Sequence, residues 1–163
     1  MRFRLEQTFD APIDAIALAF TEPDLYTALG ALPKLGRPQV LGRTENGDVV
    51  NLQIRYQFTG DLSPAARRVV DPARLSWVEH STHDLSRHQV EFTMVPDNYG
   101  NLLRASGHYT FEPDGPAATR RVAEGEVAVR VPLVGKSVEN AIVSGIREHL
   151  DEEIAVVERY LAG

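Results

Sequence analysis

A chain of 163 residues with a formal charge of −6 and no cysteine is the size of one domain and can remove roughly two thirds of its unfolded surface from water. The absent cysteines exclude disulfides and thiolate chemistry, the negative balance opposes a polyphosphate partner, and no apolar run approaches the roughly 18 residues of a membrane-spanning helix. The start MRFRLEQTF has no apolar segment of signal-peptide length, so one cytoplasmic domain over residues 1–163 is expected, with no nucleic-acid or integral membrane role.

In chain order, Phe3, Leu5 and Phe9 alternate with Arg2, Arg4 and Thr8, the period of a strand with one buried face. Asp10-Ala11-Pro12-Ile13-Asp14 offers a capping residue, a first-turn proline and an early acid, and predicts a short helix through Phe20. Thr21-Glu22-Pro23-Asp24 repeats the device for a second helix ending near residues 30–32, and Pro33, Gly36 and Pro38 link it to the sheet. Asn46-Gly47 predicts a hairpin, because both residues tolerate positive φ angles. The strand after it places Val50, Leu52, Ile54, Tyr56 and Phe58 on one face. Ser63 to Val70 reads as a short capped helix closed by Asp71-Pro72.

A fourth strand runs from about Leu75 to His83, and its alternation leaves two facings open. A fifth puts His88, Val90, Phe92 and Met94 on one side. The sixth points Leu103, Ala105, Gly107, Tyr109 and Phe111 inward, and the seventh does so with Ala123, Gly125, Val127, Val129 and Val131. A final helix from Leu133 to Ala162 carries Val138, Ile142, Ile146, Leu150, Ile154, Val157 and Leu161 as an apolar stripe. At about 1.5 Å per residue it spans roughly 45 Å, enough to cross the whole sheet.

This order of elements resembles the START-like superfamily, which includes the birch-pollen-allergen group and polyketide cyclase-like proteins. Phe9-Asp10-Ala11-Pro12 and Thr21-Glu22-Pro23-Asp24 look like the superfamily's lead-in to its paired helices, and Val131-Pro132-Leu133-Val134-Gly135 like its lead-in to the terminal helix. Within the superfamily the likeness is to an uncharacterised, largely actinobacterial group. The resemblance implies an α+β helix-grip fold: a curved seven-stranded antiparallel sheet around a long C-terminal helix, with two short N-terminal helices and another near 63–70. Such folds host many activities, and no catalytic motif of the superfamily maps onto the chain.

One helix cannot fill a strongly curved sheet, so a cavity is expected between them. Pairing Glu112 with Ala118 sets Gly107 opposite Ala123 and Ala105 opposite Gly125, which leaves space; equally, these glycines can serve to bend the sheet or seat a side chain closely. The same register sets Tyr109 opposite Arg121. Turns centred between Asn98 and Tyr99 and on Leu85-Ser86 then complete a row of His83, His88, Tyr109 and Arg121, able to orient a polar group on an apolar ligand. The alternative is a solvated rim. Glu79 beside Trp77 is a weak candidate for acid catalysis if it faces inward. Trp77 itself reads as core or as a ligand wall.

Metal binding lacks a case because His80 and His83 point to opposite faces. A nucleophilic triad lacks one because Ser81, Ser106 and His108 have no orienting partner. Arg67-Arg68 reads as solvated, with anionic lipid headgroups as the alternative. The ligand-binding candidates are therefore Ile54, Tyr56, Phe58, Trp77, His88, Val90, Phe92, Gly107, Tyr109, Arg121, Ile142 and Ile146.

The function expected is a carrier or sensor, without catalysis or cofactor, for a lipid-like, polyketide or otherwise apolar molecule. Burying about 300 Å² of ligand supplies roughly 7 kcal/mol before entropy costs. The alternatives are an acid–base enzyme of the cyclase or hydratase type using the same cavity, and an interaction module with a filled core. Nothing in the pattern specifies an oligomeric state.

Overall fold

The computed structural model describes residues 1–33, 35, 36 and 38–163. Alternating burial makes β1 (Arg2–Phe9) a one-faced strand, with Gln7 turned inward beside Phe3, Leu5 and Phe9. The helices α1 (Ile13–Ala19) and α2 (Pro23–Leu29) follow where expected, but neither Asp10 nor Thr21 caps them. Pro12 and Glu22 hold the cap positions without a side-chain bond, and Thr21 Oγ1 donates back to the Leu18 carbonyl at 2.7 Å.

The strands β2 (Gln39–Asn46), β3 (Val49–Gln57), β4 (Ser76–Asp84), β5 (Gln89–Pro96), β6 (Leu103–Pro113) and β7 (Thr119–Val129) follow in chain order, joined by short turns except between β3 and β4. Among the described residues these and β1 form one antiparallel seven-stranded sheet in the order β1-β7-β6-β5-β4-β3-β2. Between β3 and β4 lies α3 (Pro64–Arg67), whose cap Ser63 accepts from Ala66 N at 3.2 Å. The helix α4 (Gly135–Ala162) crosses the concave face, packing on β1, β7 and the first three helices. No helix of the described residues is long and apolar enough to cross a membrane.

Hairpin chemistry corrects several expectations. The β2–β3 turn is Gly47-Asp48, with positive φ at Gly47 and not at Asn46. The β4–β5 loop is not the two-residue Leu85-Ser86 turn. It runs Leu85 to His88, with His88 at φ 54°, so Asp84 pairs with Gln89 and His83 with Val90. The registers of β5 on β6 and of β6 on β7 each lie two residues from those expected. Val90 therefore faces Tyr109, Tyr109 faces Ala123, and Phe111 faces Arg121. A two-residue slip preserves which face each side chain occupies but dissolves the row of His83, His88, Tyr109 and Arg121.

The small-residue patch holds rings rather than space. Gly107 lies opposite Gly125. A Cβ on Gly107 would stand 2.2 Å from the Glu124 carbonyl oxygen and 2.7 Å from the Phe92 ring, and one on Gly125 would stand 2.7 Å from the Phe3 ring. Both glycines admit an aromatic side chain close to the strand backbone, the alternative the sequence left open.

Candidate functional site

The middle of α4 is where the concave face turns polar. His149 and Glu153 follow Ile146 and Leu150 at helical spacing, and so share the stripe directed at the sheet, 4% and 3% exposed. Opposite them, β4 turns Trp77, Glu79, Ser81 and His83 inward, while His80 and Thr82 face water. Between these elements is a cavity lined also by Phe20, Tyr26, Leu35, Tyr56, Val90, Met94, Tyr109, Phe111 and Ile146. Its free space is about 40 Å³. That holds a few waters, well short of the roughly 150 Å³ known to take up benzene. A lipid therefore does not fit unless the walls move.

Of the residues anticipated as ligand contacts, the structure brings Tyr56, Trp77, Val90, Tyr109 and Ile146 onto this cavity. Ile54, Phe58, Phe92 and Ile142 are buried in the surrounding core, and Gly107 seats the Phe92 ring. His88 sits in the β4–β5 loop, its Nε2 2.8 Å from Asp14 Oδ1 on α1.

Arg121, 1% exposed, is already occupied. Its Nη1 pairs with Glu153, its Nε and Nη2 donate to Gln7 Oε1 at 3.2 and 3.1 Å, and Nη2 reaches the Leu150 carbonyl at 3.5 Å. The guanidinium also lies 5.1 Å and 5.2 Å from the centres of the Phe9 and Phe20 rings. It ties α4 to β1 and β7. A buried pair of this kind tolerates desolvation because nearly every donor is used.

The cavity's titratable groups are displaced from their ordinary values chiefly by burial. Desolvation, aided by the like charge of Glu153 and opposed by Arg121, raises Glu79 from 4.5 to about 7. Desolvation lowers His83 from 6.5 to about 4 and also lowers His149, where Glu153 partly opposes it. Tyr26, Tyr56 and Tyr109 are held well above 10, again by burial first and then by Glu79.

Glu79 is 8% exposed and makes no hydrogen bond to another described residue. Trp77 Nε1, His83 Nδ1 and His149 Nδ1 are likewise buried without a partner among the described residues. The other ring nitrogen of each histidine is engaged: His83 Nε2 lies 3.0 Å from Ser81 Oγ, and His149 Nε2 lies 3.5 Å from Glu153. Sequence reasoning passed over His149 and Glu153, although their spacing from Ile146 and Leu150 marks them as inward. It also passed over the Ser81–His83 pair, which a strand period of two places on one face. Among the described residues no group of three or more His, Asp or Glu is placed to hold a metal ion.

No curated protein matches the sequence. Solved structures do match in shape. The aromatase/cyclase Zhui from Streptomyces sp. R1128 aligns over 99% of this chain and 93% of its own, with TM-score 0.67 and 11% identity. Norcoclaurine synthase from Thalictrum flavum aligns over 99% and 86%, with TM-score 0.65 and 17% identity. A START superfamily protein from Mycobacterium smegmatis aligns over 99% and 97%, with TM-score 0.59 and 15% identity. At such identities the likeness establishes the START-like helix-grip fold and leaves the chemistry to the site. In sequence, the family model described as "Protein of unknown function (DUF2505)" matches residues 4–161, and the chain belongs to that family.

Proposed function

We propose that residues 1–163 act as a single cytoplasmic ligand-binding domain, a carrier or sensor that takes a small, largely apolar molecule bearing one polar group between the sheet and α4. Tyr56, Trp77, Val90, Tyr109 and Ile146 form its apolar and aromatic walls, and Glu79, His83 and His149 offer polar contacts.

Support comes from one observation. Three buried ring nitrogens without partners among the described residues, Trp77 Nε1, His83 Nδ1 and His149 Nδ1, belong to residues that line one cavity together with the buried Glu79. Natural cores pair such groups, and a core serving only stability gains nothing from leaving several open around a void. The small free volume limits the guest to a compact molecule or requires the walls to part as it enters.

Native mass spectrometry of protein purified from its own host tests this reading. The expected result is a reproducible added mass that disappears on denaturation. Bare protein alone, from both gently and rapidly prepared material, contradicts it.

Acid–base catalysis is the second reading, favoured by Glu79: a carboxyl in an aromatic-walled cavity that changes charge at about 7 can give or take a proton near neutrality. A guest recovered chemically altered from the native protein, and unaltered from Glu79→Gln, distinguishes catalysis from carriage.

A further inference from the structure

The charges around the cavity do not balance. Two acids, Glu79 and Glu153, stand against one guanidinium, and Arg121 is taken up by Glu153, Gln7 and the Leu150 carbonyl. His83 and His149 are held neutral by burial and supply no positive charge near neutral pH. A carboxylate or phosphate guest would meet two acids and no free cation. A neutral guest would leave the ionised form of Glu79 uncompensated in a low-dielectric site.

A cation answers both problems. An ammonium group brings the missing charge and several N–H donors to a site whose open acceptors include the Glu79 carboxylate. His149 Nδ1, buried without a partner among the described residues, is a second acceptor in the tautomer that carries its proton on Nε2, 3.5 Å from Glu153. The walls favour the same sign, because aromatic rings attract cations, and Tyr56 and Trp77 stand stacked at 6.2 Å along one side.

Building on the small-molecule reading above, we infer that the guest is an organic amine, bound as its ammonium ion against the carboxylate of Glu79 beside the rings of Tyr56 and Trp77; the Tyr109 ring is already taken by the Arg121 guanidinium, 5.6 Å from its centre. The remaining charged and titratable groups facing Glu79 are Glu153 and Arg121 across the cavity and Tyr26 from α2. None of them supplies a free positive charge.

The chain's single tryptophan, Trp77, lines the site, so its indole N–H signal in a ¹H–¹⁵N spectrum reports occupancy directly. The native protein is titrated at about pH 8 with n-butylamine, 1-butanol and butyrate, three probes of one chain length. Butylamine is expected to move the indole signal to saturation with a Kd about tenfold below that of butanol, and butyrate to leave it in place. Glu79→Gln is expected to reduce the amine's affinity to that of the alcohol.

A measurement on the unaltered protein stands beside the variant: lowering the pH to about 6 protonates Glu79 and weakens butylamine about tenfold. Butanol binding as tightly as butylamine, or butylamine indifferent to both pH and Glu79→Gln, overturns the amine assignment and leaves the small-molecule reading standing. If none of the probes moves the indole signal, both fall.

Discussion

Glu79 is the residue whose environment has the clearest measurable consequence. In the unfolded chain its proton leaves near 4.5, whereas in the folded protein it is held to about 7. Between those values the folded state binds more protons, so Glu79 makes stability fall as pH rises, with the full loss reached above about 7. His83 acts oppositely: its folded value near 4 lies below the unfolded 6.5, so it makes stability rise with pH across that window.

Glu79→Gln removes the first effect alone. It is expected to stabilise the protein by on the order of 3 kcal/mol at pH 8 and by little near pH 4.5, as measured by urea unfolding at both. An equal gain at the two pH values contradicts a buried, displaced carboxyl. The inward facing of Glu79 was one of two legible options, because β4 mixes polar and apolar residues on both faces. The burial of Arg121 was legible only as a position on the inner face. Its partners come from β1 and α4, at Gln7 and Glu153, far away in the chain.

At the scale of elements, period-two alternation located the faces of β1, β3, β6 and β7 because the inner side of each carries most of its apolar residues, although Val122 is buried on the other side of β7. Registers were less legible, since hairpin length depends on local backbone geometry. His88 at φ 54° and Tyr99 at φ 60° are non-glycine residues in the left-handed region. Each sits in a loop whose length differs from the turn expected of it, so pairing shifted by two residues while facing survived. The α4 stripe was legible from its aliphatic residues, and its polar members were missed because acids and histidines ordinarily lie on the wet side.

The packing of β6 on β7 makes a sharp prediction. Gly107→Ala places a methyl against the Glu124 carbonyl and the Phe92 ring, and is expected to destabilise by about 2 kcal/mol or more. Chemical denaturation checks it. A neutral result would mean that the strand and ring have room to give, reopening the patch as space.

For the whole molecule, the order of strands and helices was enough to identify a sheet gripping one long helix, and shape comparison agrees across 99% of the chain. The size of the interior was not legible. Free volume is a small difference between the area of a curved sheet and the bulk of the side chains that cover it, and rings from Phe3 and Phe92 close the space expected at the glycines. What remains is about 40 Å³ beneath the middle of α4, ringed by aromatic and titratable groups.

The most direct test is a screen of compact apolar compounds followed by NMR. The indole signal of Trp77 and the ring signals of His83 and His149 report the interior, and those of His80 and His108 report the exposed face of the sheet. A binding domain predicts that a subset of compounds shifts the three inner signals saturably and leaves the two outer ones in place. Inner signals that no compound moves, or inner and outer signals that move together, contradict it.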